Sequence, residues 1–164
     1  MNNKKNLIWV AVILIIIILL ALYFFVFQKD KEFVVRDKDS FTSQDDYLNY
    51  LEEYKLAQSR DTYGGKTPEE TLNLFVEALK AGNTELASKY FILSKQDQIR
   101  EELKIGKQND VLKLLIGDLE KEKKGINLSD TSYRFRTYDK NGLAEFSFDL
   151  ILNEESKLWK IESL

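Results

Sequence analysis

Residues Leu7 to Phe27, LIWVAVILIIIILLALYFFVF, run for twenty-one positions without a charged side chain, and seventeen of them are Leu, Ile, Val or Phe. A helix of that length rises about 30 Å, the thickness of a bilayer's hydrocarbon core. At roughly −0.3 to −0.6 kcal/mol for each strongly apolar residue near the helix centre, insertion is favoured by on the order of −5 to −10 kcal/mol. A core helix that is apolar on every side would need a much larger protein wrapped around it. The expectation is therefore an N-terminal transmembrane helix. A cleavable signal carries a shorter apolar region, roughly 7–15 residues, and ends at a small-x-small site, whereas this stretch ends in Tyr23-Phe24-Phe25-Val26-Phe27, so an uncleaved signal anchor fits better.

Lys4 and Lys5 precede the stretch with no acid among them, but Lys29, Lys31, Arg36 and Lys38 follow it, so counting Lys and Arg alone does not set the topology, and the choice rests on a short basic N-terminal tail usually staying in the cytoplasm. The expected topology is a cytoplasmic tail over 1–6, a signal anchor over 7–27 and an extracytoplasmic remainder, single-pass in the cell membrane. Trp9 and Tyr23 lie near the two ends, where amphipathic rings favour the headgroups. The stretch has no polar group and no small-xxx-small spacing, which makes it a tether and not a channel wall or a pairing helix. The lipid bilayer is thus the first expected partner.

Beyond Phe27 lie 22 of the 24 basic residues and all 27 acidic ones, a formal charge of −5 over 137 residues. That length suits one domain with a linker. Mild acidity without a concentrated basic face argues against a nucleic-acid partner. There is no Cys and no His. The first absence removes disulfides, thiol nucleophiles and thiolate metal sites; the second removes the commonest general base and transition-metal ligand. No cofactor and no metal site is expected.

Residues 28–66 read as a juxtamembrane stalk and linker. Phe33-Val34-Val35 forms a short apolar patch among alternating charges. Ser43 with Asp46 resembles a capping box, and Tyr47, Leu48, Leu51 and Tyr54 follow at helical spacing, which predicts a helix over about 43–58. SRDTYGGK, Ser59 to Lys66, has no apolar period and reads as a linker.

From Thr67 the signals sharpen. Thr67 caps, Pro68 suits the first helical position and Glu70 can reach back to the cap, while Leu72, Phe75, Val76 and Leu79 recur on one face until Gly82. Asn83 caps a second helix bearing Leu86, Ala87, Tyr90 and Phe91. Ser94 with Asp97 opens a third that stops near Gly106, and a fourth runs from about Gln108 to Lys124. The period then changes to two. Tyr133, Phe135 and Thr137 alternate with Arg134, Arg136 and Tyr138, and Asn141-Gly142 predicts a type I′ hairpin turn pairing Lys140 with Leu143. That register sets Phe135 opposite Phe148, Tyr133 opposite Leu150 and Arg134 opposite Asp149. A third strand, LWKIESL, sets Trp159 opposite Leu150 and Ile161 opposite Phe148 if Leu152 pairs with Lys157. The fold class expected is α+β: the transmembrane helix, then several short helices packed on a curved antiparallel sheet of at least three strands.

The stretch TPEETLNLFVEALKAGNTELASKYF together with LWKIESL resembles the nuclear transport factor 2-like superfamily, and the likeness covers Thr67 to Leu164. The resemblance implies a cone-shaped domain over 67–164 in which N-terminal helices close over the sheet. The family usually has four or more strands, and Phe33 to Val35 is one candidate for the edge not legible here. The resemblance further implies ketosteroid isomerase-like enzymes, binding proteins and the bitopic subunit of type IV secretion channels as functional company. The layout of tail, anchor, linker and domain is similar to the last of these.

In that frame the inward positions Tyr133, Phe135, Phe146, Phe148, Leu150 and Trp159 are the candidate lining of a hydrophobic pocket, with Ala144 and Ile161 beside them. Only Tyr133 among them ionises, and its bland reading is a core ring with the hydroxyl at the rim. Arg134, Arg136, Glu145 and Asp149 fall on the outer face as a solvated charge set. No catalytic residue is singled out. The function expected is a non-enzymatic membrane-anchored extracytoplasmic module that binds a protein of the envelope or a hydrophobic small molecule. The alternatives are a structural subunit of a secretion or envelope complex, and a small lyase or isomerase using Tyr133 with Asp97 or Glu102. Asn127-Leu128-Ser129 matches a glycosylation sequon, a frequent triplet with nothing beside it to support its use.

Overall fold

Four strands in the order β1-β2-β3-β4 form one antiparallel sheet, with β1 (Lys123–Ser129), β2 (Ser132–Tyr138), β3 (Ala144–Asn153) and β4 (Leu158–Ser163) each joined to the next by a short connection. The structure, a computed structural model, describes residues 33–164. Residues Val35–Leu164 pack as one unit. Among the described residues five α-helices precede the sheet: α1 (Gln44–Arg60), α2 (Pro68–Lys80), α3 (Thr84–Lys89), α4 (Gln96–Gln108) and α5 (Leu112–Glu120).

The expectation of a fold that opens on a transmembrane helix is corrected here. Among the described residues no helix is long and apolar enough to cross a membrane. The longest of them, α1, carries Asp45, Asp46, Glu52, Glu53, Lys55 and Arg60, charges that a hydrocarbon core does not accept. Leu7 to Phe27, the tail before it and the first residues of the stalk lie outside the described residues. The α+β layering itself stands, with four strands in place of the three that were legible.

The caps explain the helix starts. Ser43 Oγ accepts from Asp46 N–H at 3.1 Å, Thr67 Oγ1 from Glu70 N–H at 3.2 Å, and Asn83 Oδ1 from Leu86 N–H at 3.0 Å. Glu70 does reach back, to the Lys66 N–H at 2.6 Å, one residue before the cap. The third expected start differs. A 3-10 turn at Leu93–Lys95 leads into α4, which has no side-chain cap and runs through Gly106 to Gln108. The break comes at Asp110, whose φ of 60° is the left-handed conformation an aspartate tolerates.

Strand β1 replaces the expected end of a fourth helix. Gly125 is required there, because a Cβ at that position would overlap the ring of Tyr133 on β2. The β2–β3 register is the expected one, Phe135 with Phe148, Tyr133 with Leu150 and Arg134 with Asp149, although the turn is not. Asp139 pairs with Leu143 across a three-residue loop in which Gly142 takes φ 78°, and a bulge between Thr137 and Tyr138 restores the register. On β4 the register sits two residues from the expected one, with Trp159 opposite Leu152 and Ile161 opposite Leu150. A shift of two keeps every side chain on its face.

The core lies between that face and the helices. Leu72, Phe75, Val76 and Leu79 of α2 meet Phe135, Phe148, Leu150 and Ile161 of the sheet, with Phe91, Leu103, Leu112 and Leu119 filling in from the other helices. Gly64-Gly65, expected as linker, instead docks on the edge of β4: Trp159 N–H donates to Gly65 O at 2.9 Å, and Gly65 N–H donates to the buried Thr71 Oγ1 at 2.8 Å. Gly64 holds φ 140° with the Trp159 carbonyl 2.5 Å from where a Cβ would stand. These glycines serve close approach, not flexibility.

Candidate functional site

The inward face of the sheet holds the six candidate pocket residues together, but as packing. Phe135, Phe148 and Leu150 are buried, and Tyr133, Phe146 and Trp159 are half-buried around them. Their rings touch one another, Tyr133 with Phe135 at 4.9 Å, Phe135 with Phe148 at 5.1 Å and Phe146 with Phe148 at 5.7 Å between centroids. None of the six lines the cleft between Lys55, Gln58 and Ile151 to Glu155, or the one between Leu72, Val76, Leu119 and Lys123. Ala144, expected beside them, is exposed near the hairpin.

Tyr133 does find an acid, though neither of those suggested by the sequence. Its hydroxyl donates to Glu69 Oε1 at 3.0 Å, in the first turn of α2. Burial and the Glu69 carboxylate both raise the phenol's pKa, which disfavours a phenolate base. Asp97 is paired with Arg100 and Glu102 accepts from Gln98 Nε2, both on the exposed side of α4.

The outer side of β3 and β4 holds the feature that sequence reading missed. Lys160 is 1% exposed. Its ammonium donates to Asp61 Oδ2 at 2.7 Å, to the Tyr63 carbonyl at 2.7 Å and to the Lys89 carbonyl at 2.6 Å, so all three protons are used. Burial pushes the Lys160 pKa down, and the Asp61 carboxylate beside it acts in the opposite sense. One charged side chain thereby ties β4, the segment after α1 and the end of α3. In the sequence Lys160 is one lysine in LWKIESL. Its alternation partner positions Trp159 and Ile161 face inward, which signals only that Lys160 faces out.

A cleft of about 260 Å³ lies above this pair, walled by Lys55 and Gln58 of α1, by Ile92 and Leu93, and by Ile151 to Glu155 of β3 and its turn. Gln58 O accepts from Asn153 Nδ2 at 3.1 Å across it. The walls mix both charges with aliphatic groups, an arrangement that holds α1 against the sheet.

Helix α1 has no buried residue. Its last turns dock through Asp61, Gln58 and the Tyr54 hydroxyl, which meets Ser94. Its first turns carry an apolar stripe of Tyr47, Leu48, Tyr50 and Leu51, with Tyr47 43% and Leu48 49% exposed. Phe41 extends the stripe, 5.1 Å from Tyr47 and 5.0 Å from Tyr50 between ring centroids. The helix start is braced: Arg36 grips Asp46 with both nitrogens at 2.8 and 3.0 Å and stands over the Phe41 ring at 4.6 Å. That grip holds the Asp46 carboxyl well below the usual carboxylate range. At 100° per residue, Asp46 and Glu53 border the stripe on one side and Asp45 and Glu52 on the other. The result is a stiff, acid-rimmed aromatic ridge. Against known proteins, the chain matches no family model, no curated protein and no solved structure.

Proposed function

We propose that the protein is a non-enzymatic module that binds another protein through the first turns of α1, held at a membrane by its apolar N-terminal stretch with the α+β unit on the extracytoplasmic side. The observation that carries the reading is the ridge of Phe41, Tyr47, Leu48, Tyr50 and Leu51, braced by the Arg36–Asp46 pair, on a helix with no buried residue and with Tyr47 and Leu48 turned to solvent. Aromatic residues ringed by charge are the composition of interface centres and their rims. Membrane attachment rests on Leu7 to Phe27 and its hydropathy. Kinship with the nuclear transport factor 2-like superfamily rests on the motif from Thr67 to Phe91 and on the layering of helices against one face of a sheet.

A protein partner is favoured over a hydrophobic small molecule, because Phe135, Phe148 and Leu150 are occupied with one another and with α2. A binding role is favoured over a lyase or isomerase, because the hydroxyl of Tyr133 is raised in pKa and held by Glu69.

The test is photocrosslinking of the full chain in native membranes with a benzophenone residue at Leu48, and as control at Leu143, which is exposed on the hairpin. A discrete protein adduct from Leu48, lost in a Tyr47→Ser background and not formed from Leu143, supports the reading. Adducts to lipid alone, or equally from both positions, overturn it.

A further inference from the structure

The two edges of the sheet are treated differently. Along β4 the outer edge is sealed by backbone: Trp159 N–H bonds Gly65 O, Ile161 N–H bonds Tyr90 O, and Ile161 O accepts from Ile92 N–H, at 2.9 to 3.0 Å. Along β1 nothing among the described residues pairs with the outer edge, and from Lys124 to Ser129 only Ile126 is even half-buried. An open row of N–H and C=O groups is a template for another strand, and proteins that do not use one usually cover it.

The charge on this edge is also unbalanced. Lys124 stands directly opposite Arg136 across the β1–β2 pair, a like-charge arrangement that costs stability. Arg136 in turn faces Ser147 on β3. On the same outer face Arg134 is satisfied, since Asp149 gives it both oxygens at 2.5 and 2.7 Å. The Asp149 charge also acts on Arg136, but no hydrogen bond or ion pair joins those two groups. Lys124 lies over the Tyr138 ring at 5.4 Å. A cation pair kept together beside an open edge is complementary to an anion that arrives with its own backbone.

We propose that the free edge of β1 docks an extended acidic segment of a partner protein, which adds as a fifth strand and sets a carboxylate against Lys124 and Arg136. Strand addition fixes the pattern. Lys124 and Ile126 share the outer face, so the incoming strand carries Glu or Asp opposite Lys124 and an aliphatic residue opposite Ile126, two positions on. A carboxylate there lies in the side-chain row of Lys124, and Arg136, one strand further in, reaches it with its longer side chain. A second copy of β1 is a poorer occupant, because Lys123–Ser129 carries two lysines and no acid of its own to set against Lys124 and Arg136. This surface is separate from the α1 ridge, and the two readings stand or fall independently.

The test titrates the isotope-labelled full chain in micelles with the peptide Thr-Glu-Thr-Val-Thr-Glu-Thr and follows backbone amides by NMR and hydrogen exchange. The expected result is a shift and added protection at alternate β1 amides, those pointing away from β2. Binding should weaken about tenfold in Lys124→Glu or Arg136→Gln, and fall with added salt. The same peptide N-methylated on its pairing edge should not bind, a control that needs no variant protein. Absence of any shift in β1, shifts confined to α1, or equal binding of the N-methylated peptide each overturn the proposal. So does concentration-dependent protection of β1 before peptide is added, which would mark a second copy as the occupant.

Discussion

Lys160 shows how much one side chain can decide. Its side chain and that of Asp61 are 2% and 4% exposed, and removing one member of such a pair leaves the other charged and buried. Lys160→Met should therefore cost about 3–5 kcal/mol, read as a fall in the urea midpoint. Adding Asp61→Leu should recover most of the loss, because two apolar groups need no partner. A recovery of nothing would mean that the Tyr63 and Lys89 carbonyls, and not the carboxylate, are what the ammonium serves. Gly64 makes the same point for backbone. Gly64→Ala places a Cβ against the Trp159 carbonyl at a φ of 140°, and about 1–3 kcal/mol should be lost by thermal melting.

Elements were legible where their ends carried chemistry and their faces a period. The Thr67 and Asn83 caps and the Leu72-Phe75-Val76-Leu79 face stand as the sequence places them. β1 was hidden because KKGINLS has neither alternation nor β-branched enrichment beyond Ile126, and its glycine serves a neighbour 8 residues away, Tyr133. The β2–β3 pair offers a pH test. Arg134 holds the Asp149 carboxyl below its ordinary value, chiefly by their hydrogen bonds. A depressed carboxylate contributes stability that is full above the unfolded value of about 4 and is lost as pH falls toward the folded value. Unfolding midpoints at pH 6, 4 and 3 should therefore drop more steeply in the native chain than in Arg134→Gln. Parallel slopes would show the pair to be energetically idle.

At the scale of the whole molecule, α1 and the Asp61–Lys66 segment are part of the unit that the sheet and the other helices form. A fragment over residues 35–164 should unfold in one cooperative transition, with α1 amides near Gln58 protected alongside those of β4; separate transitions would make α1 an independent spacer. The sequence alone determined what local chemistry and periodicity encode: the apolar stretch Leu7 to Phe27, the capped helices, the hairpin faces and the exclusion of thiol and imidazole chemistry. It had no means of counting the strands, because β1 is defined by the partner it pairs with. It also left the inner face open as a pocket, since an apolar row reads the same whether a ligand or α2 covers it. Only the tertiary structure decided that α2 covers it, that Lys160 is buried and that no described residue pairs with the outer edge of β1, because each depends on groups brought together from distant parts of the chain.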